Sequence, residues 1–85
     1  MKLNKQNLIN KIKYRSRYRG TKEMDIFVNS FVNKIISDLY FDELEHLSKL
    51  ISLSDEEIVG ISNGKIKTDI DQNIINRLID FKKKY

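Results

Sequence analysis

Between Met24 and Leu39 the apolar residues recur with the period of an α-helix. Met24, Phe27, Val28, Phe31, Val32, Ile35, Ile36 and Leu39 fall at i, i+3 and i+4 spacings, which places them on one continuous face. A stripe of that length must be buried, so the rest of the chain has to supply matching faces. Nothing in it alternates with the period of a strand for long enough to offer a sheet. Lys65-Ile66-Lys67 is the one candidate, and it is too short.

The other segments read as helices too. Asn4 to about Tyr18 forms a first helix with a narrow stripe of Leu8, Ile9 and Ile12. If it runs far enough, Lys11, Arg15 and Arg19 share one side at i+4 spacing. The central helix follows from about Thr21 to Leu39. A third covers about Glu43 to Ile51, with Asp42 as N-cap and Glu45 as its capping-box partner. It buries Leu44, Leu47 and Ile51, with Leu50 at the edge. Ser54-Asp55-Glu56-Glu57 is a second capping box, opening a short fourth helix with Ile58, Val59 and Ile61 that stops at Asn63-Gly64. The fifth starts after Thr68 or Asp69 and buries Ile70, Ile74, Ile75, Leu78 and Phe81, with Lys82, Lys83 and Lys84 at its negative end. The expected architecture is all-α: a small bundle of about five helices, one domain over residues 1–85.

Composition closes several routes to chemistry. There is no cysteine, and His46 is the single histidine, so thiolate and multi-histidine metal sites are excluded. Metal ligation would need His46 with Asp42, Glu43 or Glu45, acids better explained as helix-start and solvated residues. No phosphate-binding glycine loop occurs. No base, nucleophile and cofactor cradle come together, so the expectation is a non-enzyme with no cofactor or metal of its own. No apolar run approaches a membrane span. The first segment is basic enough to suggest a mitochondrial presequence, but its few apolar residues and single serine favour a bacterial cytoplasmic protein.

Charge is distributed unevenly. Residues 1–22 carry eight bases and no acids, residues 23–63 nine acids and two bases, and residues 64–85 six bases and three acids. The basic end is densest at Tyr14-Arg15-Ser16-Arg17-Tyr18-Arg19, directly before Gly20-Thr21-Lys22-Glu23. Such a run is either a solvated helix face or a contact surface, since Arg and Tyr are enriched in interface hot spots. Gly20 is either a helix-start residue, with Glu23 at the third helical position, or a place where backbone and partner approach closely.

Arg19-Gly20-x-x-Glu23 followed by Asp25, the preceding Arg-Ser-Arg and the apolar helix behind them closely resemble the SdhE family. These are small assembly factors that promote flavin attachment to the flavoprotein subunit of succinate dehydrogenase. The likeness is clearest over Tyr14–Val32 and continues through Leu50-Ile51-Ser52-Leu53-Ser54-Asp55. It departs at Thr21, where the family often has a larger apolar residue, and at Ile58, Val59 and Ile61, where an aromatic is common.

The resemblance implies a monomeric protein-binding helper. Its partner would be the flavoprotein subunit of succinate dehydrogenase, with fumarate reductase as a second candidate client. Covalent attachment joins the flavin 8α-methyl group to a client histidine, so the FAD belongs to the client. Arg19, Gly20 and Glu23 are the partner-binding residues it implies, with Arg15, Arg17, Tyr14, Tyr18 and Asp25 as further contact candidates. The alternative from composition is a small basic nucleic-acid-binding module, with arginines on phosphates and tyrosines stacking on bases. Against that stand the acidic middle of the chain and the lack of an evident recognition helix.

Overall fold

The computed structural model describes residues 5–17 and 19–85, and among these the secondary structure is entirely helical. Helix α1 spans Lys5–Ser16, α2 Lys22–Ile35, α3 Phe41–Ile51, α4 Asp55–Ser62 and α5 Gln72–Lys84, with a 3₁₀ turn at Ile36–Asp38. The expected five-helix, all-α bundle is what the chain forms. The expected ends of the first helix at Asn4 and Tyr18 lie outside the described residues. Because α1 ends at Ser16, Arg19 does not extend the Lys11–Arg15 row.

Local signals set some boundaries as expected and shift others. Thr21, not Gly20, caps α2: its hydroxyl accepts from the Met24 amide at 3.2 Å. Glu23 therefore sits at the second helical position rather than the third. Helix α2 gives way to the 3₁₀ turn before Leu39, yet Ile36 and Leu39 remain buried, so the apolar pattern outlasts the α-helical ladder. The cap of helix α3 lies two residues earlier than expected. Tyr40 is the N-cap and Glu43, not Glu45, reaches back to the Tyr40 amide at 2.9 Å. The box at Ser54 and Glu57 forms as read. Helix α5 starts at Gln72, after a turn in which the Ile70 amide bonds the Thr68 hydroxyl.

Helix α1 packs on α2 and α3, and α5 packs on α4 and α3. Phe31, Val32, Leu44, Leu47, Ile74 and Leu78 are fully enclosed in the shared core. Leu50 belongs there as well, not at an edge. Phe81 is only half-buried. It joins Phe27, Phe31 and Tyr85 in an aromatic group with ring centres 5.1–5.6 Å apart, tying α5 to α2. Gly60 lets the chain fold back over α4. Its carbonyl accepts from the Lys65 and Ile66 amides, and a Cβ there would run into the Ile66 side chain.

Two polar contacts complete the frame. The buried Ser16 hydroxyl donates to the Lys13 carbonyl at 2.9 Å and lies 3.2 Å from Asn29 Oδ1, linking the end of α1 to α2. His46 Nδ1 accepts from the Asp71 amide at 2.9 Å, so α3 caps the entry to α5. This makes His46 a connecting residue of the bundle. Among the described residues no group of three or more acids and histidines is placed to hold a metal ion, and no helix is long and apolar enough to cross a membrane.

Candidate functional site

The loop between α1 and α2 has no helical ladder of its own to hold it. It is fixed by Arg19. The guanidinium turns inward, with its side chain 10% exposed, onto the corner where α3 ends and α4 begins. Its Nη1 donates to the Ile51 carbonyl, Nη2 to the Leu53 carbonyl at 2.6 Å, and Nε to Asp55 Oδ1 at 3.1 Å. The Arg19 amide donates to the Asp25 carboxylate on the first turn of α2. One residue thus joins the loop to three helices.

The physical logic lies in the end of α3. The last carbonyls of a helix have no partner in their own ladder and carry partial negative charge. The Ser48 carbonyl accepts from the Ser52 hydroxyl at 2.8 Å, and those of Lys49 and Leu50 accept from the Ser52 and Leu53 amides at 3.2 and 3.1 Å. The Ile51 carbonyl takes the Arg19 guanidinium. A planar fork can bond two divergent carbonyls and a carboxylate together, which a lysine ammonium matches poorly. Arg15 supports the same end, donating to the Ser52 hydroxyl at 3.2 Å.

With Arg19 directed inward, the residues after it face out. Gly20 is exposed with φ +118°, and a Cβ built on it would meet nothing within 4 Å. Its requirement is therefore conformational rather than steric, since side-chain-bearing residues rarely take that φ. Glu23 is exposed one turn later. It stands on the rim of an apolar groove of about 420 Å³ between α2, α4 and the end of α5, lined by Met24, Ile26, Phe27, Val59 and Tyr85.

The residues singled out from sequence consequently separate. Tyr14, Arg15 and Arg19 line a shallow depression over Ile51 and Ser52. Tyr14, Arg15 and Arg17 are exposed, Asp25 is half-buried behind the loop, and Tyr18 lies outside the described residues. Glu23 presents a different edge, on the apolar groove, and Gly20 is exposed in the loop before it. Sequence reading missed Asp55, Ser52 and Ser16 as members of this region. Ser16 left a signal, because it continues the i+4 row of Leu8 and Ile12. Asp55 left a signal only in the family resemblance, which runs through Leu50–Asp55. It is 36 residues from Arg19 and already accounted for by the start of α4, so nothing in the spacing joined it to the loop.

Electrostatically the notable carboxyl is elsewhere. The hydrogen bond from the Tyr40 amide, chiefly, holds Glu43 below its ordinary value of 4.5, helped by Asn73 and the charge of Arg77 and opposed by desolvation. Among the described residues near the motif loop, no acid, base and nucleophile are grouped in the manner of a catalytic centre.

Residues 10–82 match the Sdh5 family, described as the flavinator of succinate dehydrogenase. No curated protein and no solved structure matches the chain.

Proposed function

The chain belongs to the Sdh5 family, flavinators of succinate dehydrogenase, and we propose that it binds the flavoprotein subunit and promotes covalent attachment of FAD to it. The chemistry stays with the client and its flavin. The helper contributes binding energy, holding the client in the arrangement from which attachment proceeds. The observation that carries this reading is the motif loop, in which Arg19 is clamped to the protein's own helices while Gly20 and Glu23 face outward. Such a loop offers a partner a fixed backbone beside an exposed carboxylate, with little ordering cost for the backbone on binding. Gly20 and Glu23 are assigned to direct contact, with the exposed Arg15, Arg17 and Tyr14 as further contacts on a separate edge. Arg19 and Asp25 are assigned to holding the loop.

The nucleic-acid alternative loses ground for the same reason. Arg15 and Arg19 already donate within the chain, which weakens the basic run as a track for phosphates.

The test is complementation in a strain lacking the protein, reading covalent flavin as in-gel fluorescence of the denatured client. Native protein should restore the signal. Glu23→Ala should stay folded, since an exposed helix-start carboxylate is worth under about 1 kcal/mol, and should restore it poorly. A folded Glu23→Ala that restores the full signal removes Glu23 from the contact surface.

A further inference from the structure

We infer that Asp55, at the start of α4, is a positioning residue for the motif loop and acts on client binding through Arg19. This rests on the function proposed above.

Asp55 faces two ways. As the first residue of α4 it suits the positive end of that helix. Its Oδ1 also accepts from Arg19 Nε at 3.1 Å, with the two side chains 28% and 10% exposed. The other two acceptors of the guanidinium are the backbone carbonyls of Ile51 and Leu53. Asp55 is therefore the one side chain in that set, and the one of the three acceptors that substitution can remove.

The loop depends on this anchor. Between the end of α1 and the cap of α2, its ties among the described residues include the Arg17 amide to the Tyr14 carbonyl, the Arg19 amide to Asp25, and the Arg19 side chain. Gly20, at φ +118°, sits between the last two and the cap at Thr21. Glycine is the residue least able to hold its own conformation. The direction in which Gly20 faces, beside Glu23 at the start of α2, is thus set by the α3–α4 corner. Without the Asp55 carboxylate the guanidinium keeps only neutral carbonyl acceptors, and hydrogen bonds to a charged acceptor are the stronger kind.

The experiment compares Asp55→Asn, Arg19→Ala and the double variant with Ser54→Ala, all in the full chain. Ser54→Ala removes the cap of α4 but leaves Asp55 and Arg19 in place, so it reports the effect of weakening α4 alone. Affinity for the purified flavoprotein subunit is measured alongside amide exchange at Arg19 in the free protein. Asp55→Asn should weaken client binding about tenfold, the scale of one charge-assisted hydrogen bond. Ser54→Ala should bind as the native protein does. The double variant should bind no worse than Arg19→Ala, because both changes break one connection. Exchange at the Arg19 amide should speed up in Asp55→Asn and not in Ser54→Ala.

Native-like binding by Asp55→Asn overturns the inference. So do losses from Asp55→Asn and Arg19→Ala that multiply in the double variant, since Arg19 would then touch the client itself. If native protein does not bind the flavoprotein at all, the proposed function fails. The exchange arm then decides the positioning claim alone, and unchanged protection at Arg19 overturns it.

Discussion

Gly20 offers a prediction in which backbone and surface effects come apart. Its φ is +118°, and no atom lies within 4 Å of where a Cβ would stand. Any side chain there strains the backbone, at about 1–3 kcal/mol. Restricting the unfolded chain returns about 0.4–1 kcal/mol. The net loss of about 1–2 kcal/mol lowers Tm by roughly 4–16 °C in a domain this small. The loss should be nearly the same for Gly20→Ala and Gly20→Arg, because the strain lies in φ and the space beyond Cβ is open. Far-ultraviolet circular dichroism melts of the two variants measure it. Client flavinylation, assayed below both melting points, should separate them: Gly20→Ala retains most of it and Gly20→Arg loses it, as a long side chain projects where the client approaches. A Gly20→Ala that melts with the native protein would refute the need for positive φ. A Gly20→Arg that melts far below Gly20→Ala would refute the open site. Equal flavinylation by both would refute outward contact at this position.

Two further outcomes test the frame. Phe31→Ala should cost roughly 3–5 kcal/mol in urea unfolding, because the ring is 1% exposed and its loss leaves a cavity; a change below about 1 kcal/mol would mean that the ring is not enclosed. Glu43 has its carboxyl held below 4.5 in the folded state, so its contribution to stability is present above the unfolded value and is lost as pH falls through the folded one. Native protein should therefore lose more Tm than Glu43→Gln on acidification from about pH 6 to pH 3; parallel curves would show that the Tyr40 and Asn73 contacts do not stabilise the ionised form.

Much of the fold was legible because helical order is a local property. Spacing alone identified the faces of Phe27, Phe31 and Val32, and of Ile74 and Leu78, and Ser54 with Glu57 announced α4. The misreadings were also local. Both Asp42 and Tyr40 precede an acid three residues on, and Tyr40 is a poor cap by composition, yet Phe41, packed against the core as the first residue of α3, goes with a frame two residues earlier. Leu50 was placed at an edge because a helical wheel does not show how many neighbours surround it. With α1, α3 and α5 packed around the same core, the buried arc widens to include it.

At the site the division is sharper. Residue types and spacing determined that Arg19, Gly20 and Glu23 stand together at the start of an amphipathic helix. They could not determine which way Arg19 points. An arginine beside two others and two tyrosines reads as surface, because sequence gives a side chain its reach and charge but not its acceptors. The acceptors were the Ile51 and Leu53 carbonyls and Asp55, brought within reach only when α3 and α4 met at their corner behind the loop. Tertiary structure decided that Arg19 serves as the anchor and that Gly20 and Glu23 stay exposed, because the orphan carbonyls at the end of one helix needed a cation and the loop supplied it.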